Sequence, residues 1–222
     1  MRVVHLYHSG VLIETESIQV FIDVISDISH WIDYKKTIYF FVTHGHHDHW
    51  DSSIAKYQGD QVYYVISDDI HDFGQLRVLS VMPNRKYSVG QLEVETFEST
   101  DMGVSLLIHI ENFVVFHAGD LNWWHWVNDD EDKQAEEAQN YKRIVKRLPP
   151  EHLDVAFIPC DSRLGEAMMW ASDYFMSAKS VGHLIPIHFR AHFEVSEQLF
   201  KHFHSDVRVV KVTACDEVVL EL

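Results

Sequence analysis

Apolar and polar positions along the chain divide it into short segments with two different periods. In the first third, β-branched and aromatic residues cluster in runs of five or six bounded by turn residues, which predicts strands at about 3–7, 11–15, 18–22 and 37–42. The last of these, Thr37-Ile38-Tyr39-Phe40-Phe41-Val42, is apolar at nearly every position and predicts a strand buried on both faces. Asp51-Ser52-Ser53 predicts the cap of a short helix ending before Gly59. Further strands are predicted near 62–66, 76–81, 91–97, 104–110 and 113–117. The period then lengthens. Ala135, Ala138, Tyr141, Ile144, Val145 and Leu148 recur at three- and four-residue steps, which predicts a helix over 129–147 that Pro149-Pro150 stops. A strand at 154–158, a helix near 166–181, a strand at 183–187, a helix near 194–204 and strands at 207–212 and 217–221 complete the pattern. Strands followed by a helix in each half suit two sheets packed face to face with helices outside.

One domain spanning 1–222 is the simplest division, because no linker, low-complexity tract or repeat interrupts the pattern. Apolar residues make up 46% of the chain, enough for a substantial interior. No apolar run approaches a membrane span, and Met1-Arg2-Val3-Val4-His5 lacks a signal-peptide core. Cys160 and Cys215 are far apart and do not suggest a disulfide framework. A cytoplasmic location fits these features, with no membrane partner. The formal charge of −16 argues against a nucleic-acid partner, since phosphate backbones would be repelled. A small-molecule substrate is the partner expected, and homo-oligomer formation is left open.

The chemistry concentrates directly after the buried strand. Thr43 to His49 reads T-H-G-H-H-D-H, placing His44, His46, Asp48 and His49 within six residues. Imidazole and carboxylate are common ligands of zinc-like ions. Past a strand end the chain is often still extended, so His44 and His46 project the same way and can grip one ion. Asp48 and His49, beyond a turn, can face a second. Gly45 is expected to allow an unusual backbone conformation between the first two ligands. Thr43, His47 and Asp23 are candidates to support the ligands from behind.

On this motif the chain resembles the metallo-β-lactamase-fold hydrolases, and its opening segments, Tyr7-His8-Ser9-Gly10-Val11-Leu12-Ile13-Glu14 and Phe21-Ile22-Asp23, resemble the lactonase-like branch. The resemblance implies an α/β fold, the four-layer αββα sandwich. It implies a bridging Asp after a later strand, matched by Asp120 in His117-Ala118-Gly119-Asp120, and a last ligand matched by His188 after Leu184-Ile185-Pro186-Ile187. It also implies a further histidine for the first ion, but the matching region, Glu98-Ser99-Thr100-Asp101-Met102-Gly103, has none. Asp101 is the candidate replacement, with a plain turn residue as the alternative. The implied arrangement has two divalent ions, zinc by preference with manganese or iron as alternatives. His44, His46 and Asp101 would hold one, Asp48, His49 and His188 the other, and Asp120 both. Asp48 is also placed to orient a metal-bound hydroxide.

The implied activity is a metal-dependent, dinuclear hydrolase acting on a small, anionic ester or lactone. Alternatives are a phosphodiesterase of the same fold, a di-iron redox protein and a catalytically weak metal-binding or ligand-sensing protein. Catalytic candidates are Asp48, Asp120 and His125, the last as a proton donor to the leaving group or a replacement metal ligand. Trp123, Trp124 and Trp126, directly after Asp120, suit a pocket wall or ordinary core packing. Arg163 suits recognition of a substrate anion or a structural pair with Asp161. His8 and His117 are expected to be buried structural groups. Cys160 has no neighbouring His-Asp arrangement and is not a nucleophile candidate. The charged segment near 128–148 is expected to be a helical insertion covering the site.

Overall fold

The computed structural model describes residues 1–71, 73 and 78–222. Two sheets form the frame. The first has strand order β13-β1-β2-β3-β4-β5-β6, with β1 (Arg2–Tyr7), β2 (Gly10–Glu14), β3 (Ile18–Ile22), β4 (Thr37–Val42), β5 (Val62–Ser67), β6 (Val78–Val81) and β13 (Glu217–Glu221). Strands β1, β2 and β3 pair antiparallel, whereas β3 to β6 run parallel. The second sheet has the order β12-β11-β10-β9-β8-β7, with β7 (Arg85–Val89), β8 (Leu92–Glu98), β9 (Val104–Ile110), β10 (Phe113–His117), β11 (Leu153–Pro159) and β12 (Val181–Ile187). It repeats the plan: β7 to β10 form an antiparallel meander, and β10 to β12 run parallel.

Side-chain alternation explains why β4 is apolar throughout. Tyr39 and Phe41 enter the large core cluster with Val94, Leu106 and Ile108 of the second sheet. Ile38, Phe40 and Val42 face the other way, into a separate cluster with Phe21, Tyr57 and Tyr64. That outer face is covered by residues 24–32 and by a 3₁₀ helix, Ser52–Lys56, capped by Asp51. The connection from β4 to β5 carries the His44–His49 motif and this 3₁₀ helix in place of a longer α-helix. Helices α1 (Glu131–Arg147) and α2 (Trp170–Ala178) lie in the connections between the parallel strands of the second sheet. They meet through Tyr141, whose hydroxyl donates to the Ala171 carbonyl, and α2 stacks Phe175 on Phe116 of β10. Helix α3 (Glu194–His202) adds Val195 and Leu199 to the same core.

Most predicted elements appear, with three differences. Strand β7 was not predicted because Arg85-Lys86-Tyr87-Ser88-Val89 is mostly polar, as suits a sheet edge. The segment 207–212 forms only an isolated bridge, Leu184 to Val209. It touches the edge of β12 at one point and then turns, with the Val212 N–H donating to Ser196 Oγ. The helix predicted near 166–181 begins as a 3₁₀ segment, Ser162–Met169, which breaks at Gly165 (φ 59°) before α2. Of the strand predicted at 76–81, residues 76 and 77 lie outside the described residues. Among the described residues, no helix is long and apolar enough to cross a membrane.

Candidate metal centre

Both sheets present their chemistry at one edge. His8 follows β1, Asp23 follows β3, the His44–His49 motif follows β4, Asp120 follows β10, Asp161 follows β11 and His188 follows β12. For the parallel strands this is the carboxyl edge, where open α/β sheets gather their ligands. Three of these residues need left-handed backbone: His8 (φ 57°), Asp23 (φ 51°) and His188 (φ 66°). Such conformations are costly for residues with a Cβ and concentrate at functional sites.

Two groups of donor atoms result, each within 4.8 Å: His44, His46 and Asp120, and His8, His49 and His188. His44 Nε2 and His46 Nδ1 approach to 3.1 Å. The motif makes one turn between His46 and His49, with the N–H groups of His49 and Trp50 donating to the His46 carbonyl. That turn carries His49 to the second group. Asp120 spans the two groups. Its Oδ2 lies 3.5 Å from His44 Nε2, while its Oδ1 lies 3.0 Å from His49 Nε2 and 3.3 Å from His188 Nε2. Despite this closeness, His49 Nε2 and Asp120 Oδ1 are buried without hydrogen-bond geometry to any partner.

The support behind these atoms is better satisfied. Asp23, fully buried, accepts from the Thr43 N–H at 2.8 Å, from Thr43 Oγ1 at 2.7 Å and from His49 Nδ1 at 2.8 Å. Thr43 Oγ1 in turn meets His44 Nδ1 at 3.1 Å. Asp161 Oδ2 meets His188 Nδ1 at 3.1 Å. Assigned from these partners, His44, His49 and His188 each carry a proton on Nδ1, and their Nε2 atoms face inward. Asp23 and Thr43 thus take the supporting places expected of them. His47 does not: it is exposed on the cavity wall. Gly45 lacks a positive φ. Its N–H donates to Asp69 at 2.8 Å, and an added Cβ would lie 3.2 Å from that carboxylate, so close approach rather than unusual conformation explains this glycine.

The electrostatics favour cations. Burial would raise Asp120, but His188 and His49 outweigh it and hold the carboxyl well below the usual range. Burial would lower His49, yet Asp23 and Asp120 raise it to about 10. His188 rises to about 9 against burial, through Asp120 and Asp161. In His44, burial and the neighbouring His49 dominate and keep the ring below its ordinary value.

A cavity of about 460 Å³ opens above the cluster. Trp124 and Trp126 form one wall, stacked at 5.6 Å with an interplanar angle of 4°, and Trp124 Nε1 donates to the Asp120 carbonyl. Lys133 and Glu137, from the first turns of α1, form another. Arg163 and Arg190 stand at the rim, beside Asp48 and Asp101.

Other candidates are placed differently. Trp123 and His125 are not among the residues lining the cavity; the chain turns between them, with the His125 N–H donating to the Trp123 carbonyl at 2.9 Å. Trp123 packs on Trp170 and Tyr141, and His125 lies 4.6 Å from Trp170. Arg163 forks onto Asp161, the structural pair considered for it, and stands at the cavity rim. Asp101 is 41% exposed, with Oδ2 3.9 Å from His46 Nδ1, outside the tighter group. Asp48 Oδ2 lies 3.4 Å from His8 Nε2. His117 is a satisfied core group, as expected: Gly119 N–H donates to its Nδ1 at 3.1 Å, and its Nε2 meets the Ser9 carbonyl at 3.0 Å. Burial raises the Cys160 thiol far above its ordinary value, in keeping with an inert role. Sequence reasoning missed that His8 belongs to the cluster and that Asp161 supports His188. The signal for His8 was a histidine in a two-residue turn that glycine fills more easily.

The chain has the metallo-β-lactamase fold, with two stacked sheets and ligand-type residues at their common edge. Its similarity extends to Igni18 from Ignicoccus hospitalis, a metallo hydrolase, at 13% identity over 99% of this chain and 97% of that one, with a TM-score of 0.65. The metallo-β-lactamase fold protein YhfI from Bacillus subtilis matches at 14% identity over 90% and 91%, TM-score 0.59. CmlA from Streptomyces venezuelae, a diiron β-hydroxylase, matches at 13% identity over 91% of this chain and 51% of its own, TM-score 0.57. No protein-family model matches the sequence, and no curated protein does.

Proposed function

We propose that the protein is a dinuclear metal-dependent hydrolase of small anionic esters or lactones. The observation that carries this reading is the convergence of buried, unpartnered His49 Nε2 and Asp120 Oδ1 on imidazoles whose protons are tied outward. Buried polar atoms are rarely left without partners, and a cation satisfies these together. His44, His46 and Asp120 would hold one ion, with Asp101 the carboxylate able to swing in and complete the set. His49, His188, Asp48 and Asp120 would hold the other. The imidazole-carboxylate set suits zinc, and also manganese or iron. Divalent ions so placed supply an acidified water and polarise a substrate carbonyl.

The protein's own groups shape the rest. Lys133, Arg163 and Arg190 rim the cavity of a chain with formal charge −16, which favours an anionic substrate there. The flat wall of Trp124 and Trp126 favours a small apolar body beside it. The first group has only His44, His46 and Asp120 within reach, with His46 half-buried, and this sparse set supports a second reading, a metal-dependent ligand sensor with weak turnover. Metal analysis of protein purified without chelator, followed by lactone, ester, thioester and phosphodiester panels, tests both. Two equivalents of metal and turnover abolished by chelation are expected. A fully loaded, folded protein inactive across the panels would overturn the hydrolase reading. Iron absorption bands together with no hydrolytic turnover in that preparation would redirect it to redox chemistry.

A further inference from the structure

His8 has the position of a third histidine ligand. Its ring centroid is 4.2 Å from that of His188 and 5.6 Å from that of His49, and its Nε2 is buried without a hydrogen-bond partner. The location of its proton argues against that role. The Arg190 backbone N–H donates to His8 Nδ1 at 3.2 Å. This occupies the Nδ1 lone pair, so the neutral ring carries its proton on Nε2. A protonated ring nitrogen has no lone pair for a cation. His44, His49 and His188 have the reverse arrangement, with Nδ1 against an oxygen and Nε2 facing into the cluster.

We propose that His8 is a positioning residue, an Nε2–H donor that fixes Asp48 in the second metal site. Its Nε2 faces Asp48 Oδ2 at 3.4 Å, and Arg190 Nη2 reaches the same oxygen at 4.0 Å. A shift of about 0.4 Å brings the histidine contact within ordinary hydrogen-bond range. With Oδ2 held by these donors, the other Asp48 oxygen is left for the ion. Both parts of the device are strained. His8 is the first residue of the two-residue turn between Tyr7 and Gly10, at φ 57°. Arg190, whose amide sets the tautomer, has φ 53°. Holding a histidine and its amide donor in left-handed backbone makes sense where the ring's proton must point one way.

The inference rests on the metal-centre reading, but its test does not depend on turnover. NMR of the full chain with nitrogen-labelled histidine, with and without NMR-active cadmium, reports the proton on each ring nitrogen and any coupling to the metal. His8, assigned through His8→Gln, is expected to keep its Nε2 proton in both states and show no coupling. His49 and His188 are expected to couple through Nε2. Coupling of cadmium to His8, or a bare Nε2 in the metal-free protein, would overturn the proposal. Failure to take up cadmium would count against the metal-centre reading, while the proton position in the metal-free protein still decides the tautomer. His8→Phe, which removes the donor, is expected to weaken the second ion about tenfold, and His8→Gln, which retains an N–H, by under about threefold. An equal loss of about a hundredfold or more in both would indicate a lost ligand instead.

Discussion

Replacing Asp23 by Asn tests the support of the metal centre with almost no change of shape. Asp23 accepts three hydrogen bonds in a fully buried setting, from Thr43 N, Thr43 Oγ1 and His49 Nδ1. An amide cannot reproduce them in either orientation. With its NH₂ toward the Thr43 amide, that N–H faces a donor and is left unpaired. With its NH₂ toward His49, the imidazole must accept at Nδ1 and move its proton to Nε2, the atom needed for the ion. The first outcome costs about 1–3 kcal/mol of stability, the usual penalty of an unsatisfied buried group. The second costs about 10–100-fold in metal affinity, equivalent to about 1.4–2.7 kcal/mol. Urea unfolding with chelator present measures the first, and competition against a chromophoric chelator measures the second. The loss of affinity is expected mainly at the ion bound by His49. If Asp23→Asn unfolds like the parent and binds both ions with unchanged affinity, the proposed link from Asp23 to the centre is wrong.

Four other outcomes are expected. Chelation should lower thermal stability, by about 2.7 kcal/mol where free metal had stood at a hundred times its dissociation constant, and a chelator-insensitive melting temperature in loaded protein would contradict this. Gly103→Ala should destabilise by more than about 2 kcal/mol in urea unfolding, because φ is 68° and the new Cβ would stand 2.0 Å from the Thr43 carbonyl oxygen. His5 is buried, and burial lowers its pKa from 6.5 to about 4. The fold therefore prefers the neutral ring: this contribution is fully present above pH 6.5 and is lost as pH falls towards 4, at up to about 3 kcal/mol. Unfolding at several pH values should show a shallower acid loss in His5→Gln than in the parent. Trp124→Ala should raise KM for active esters severalfold, whereas Trp123→Ala should chiefly reduce stability; matching kinetic defects would contradict the different placement of the two rings.

The legible parts of the sequence were those with dense local signals. The apolar β4 followed at once by His44, His46, Asp48 and His49 gave both the buried strand and the cluster at its end. Asp120 and His188 were found because each follows an apolar run of its own. His8 was harder, since it stands alone in a hairpin turn and meets His188 only when β1 and β12 come to the same edge. Asp161 was hidden similarly: its local partner Arg163 was visible, but His188 lies 27 positions away. Trp123 and Trp124 were inseparable by composition, and only the folded path after Asp120 gives them different surroundings, Trp124 on the cavity and Trp123 against Trp170. The polar β7 was masked by its position at a sheet edge.

The left-handed backbone at His8, Asp23 and His188 also sets fold stability against the work of the site. Glycine at any one of them would relieve about 1–2 kcal/mol of conformational cost while deleting a side chain of the centre or its support. The frustration is local, and the two well-packed sheets are what keep it in place. A library at these positions sorted only for heat resistance without metal would therefore push the backbone towards relaxed variants with a dismantled centre. The same library sorted with metal present would retain the strained residues. Thermostabilising this protein without metal in the selection thus risks exchanging its chemistry for a more comfortable chain.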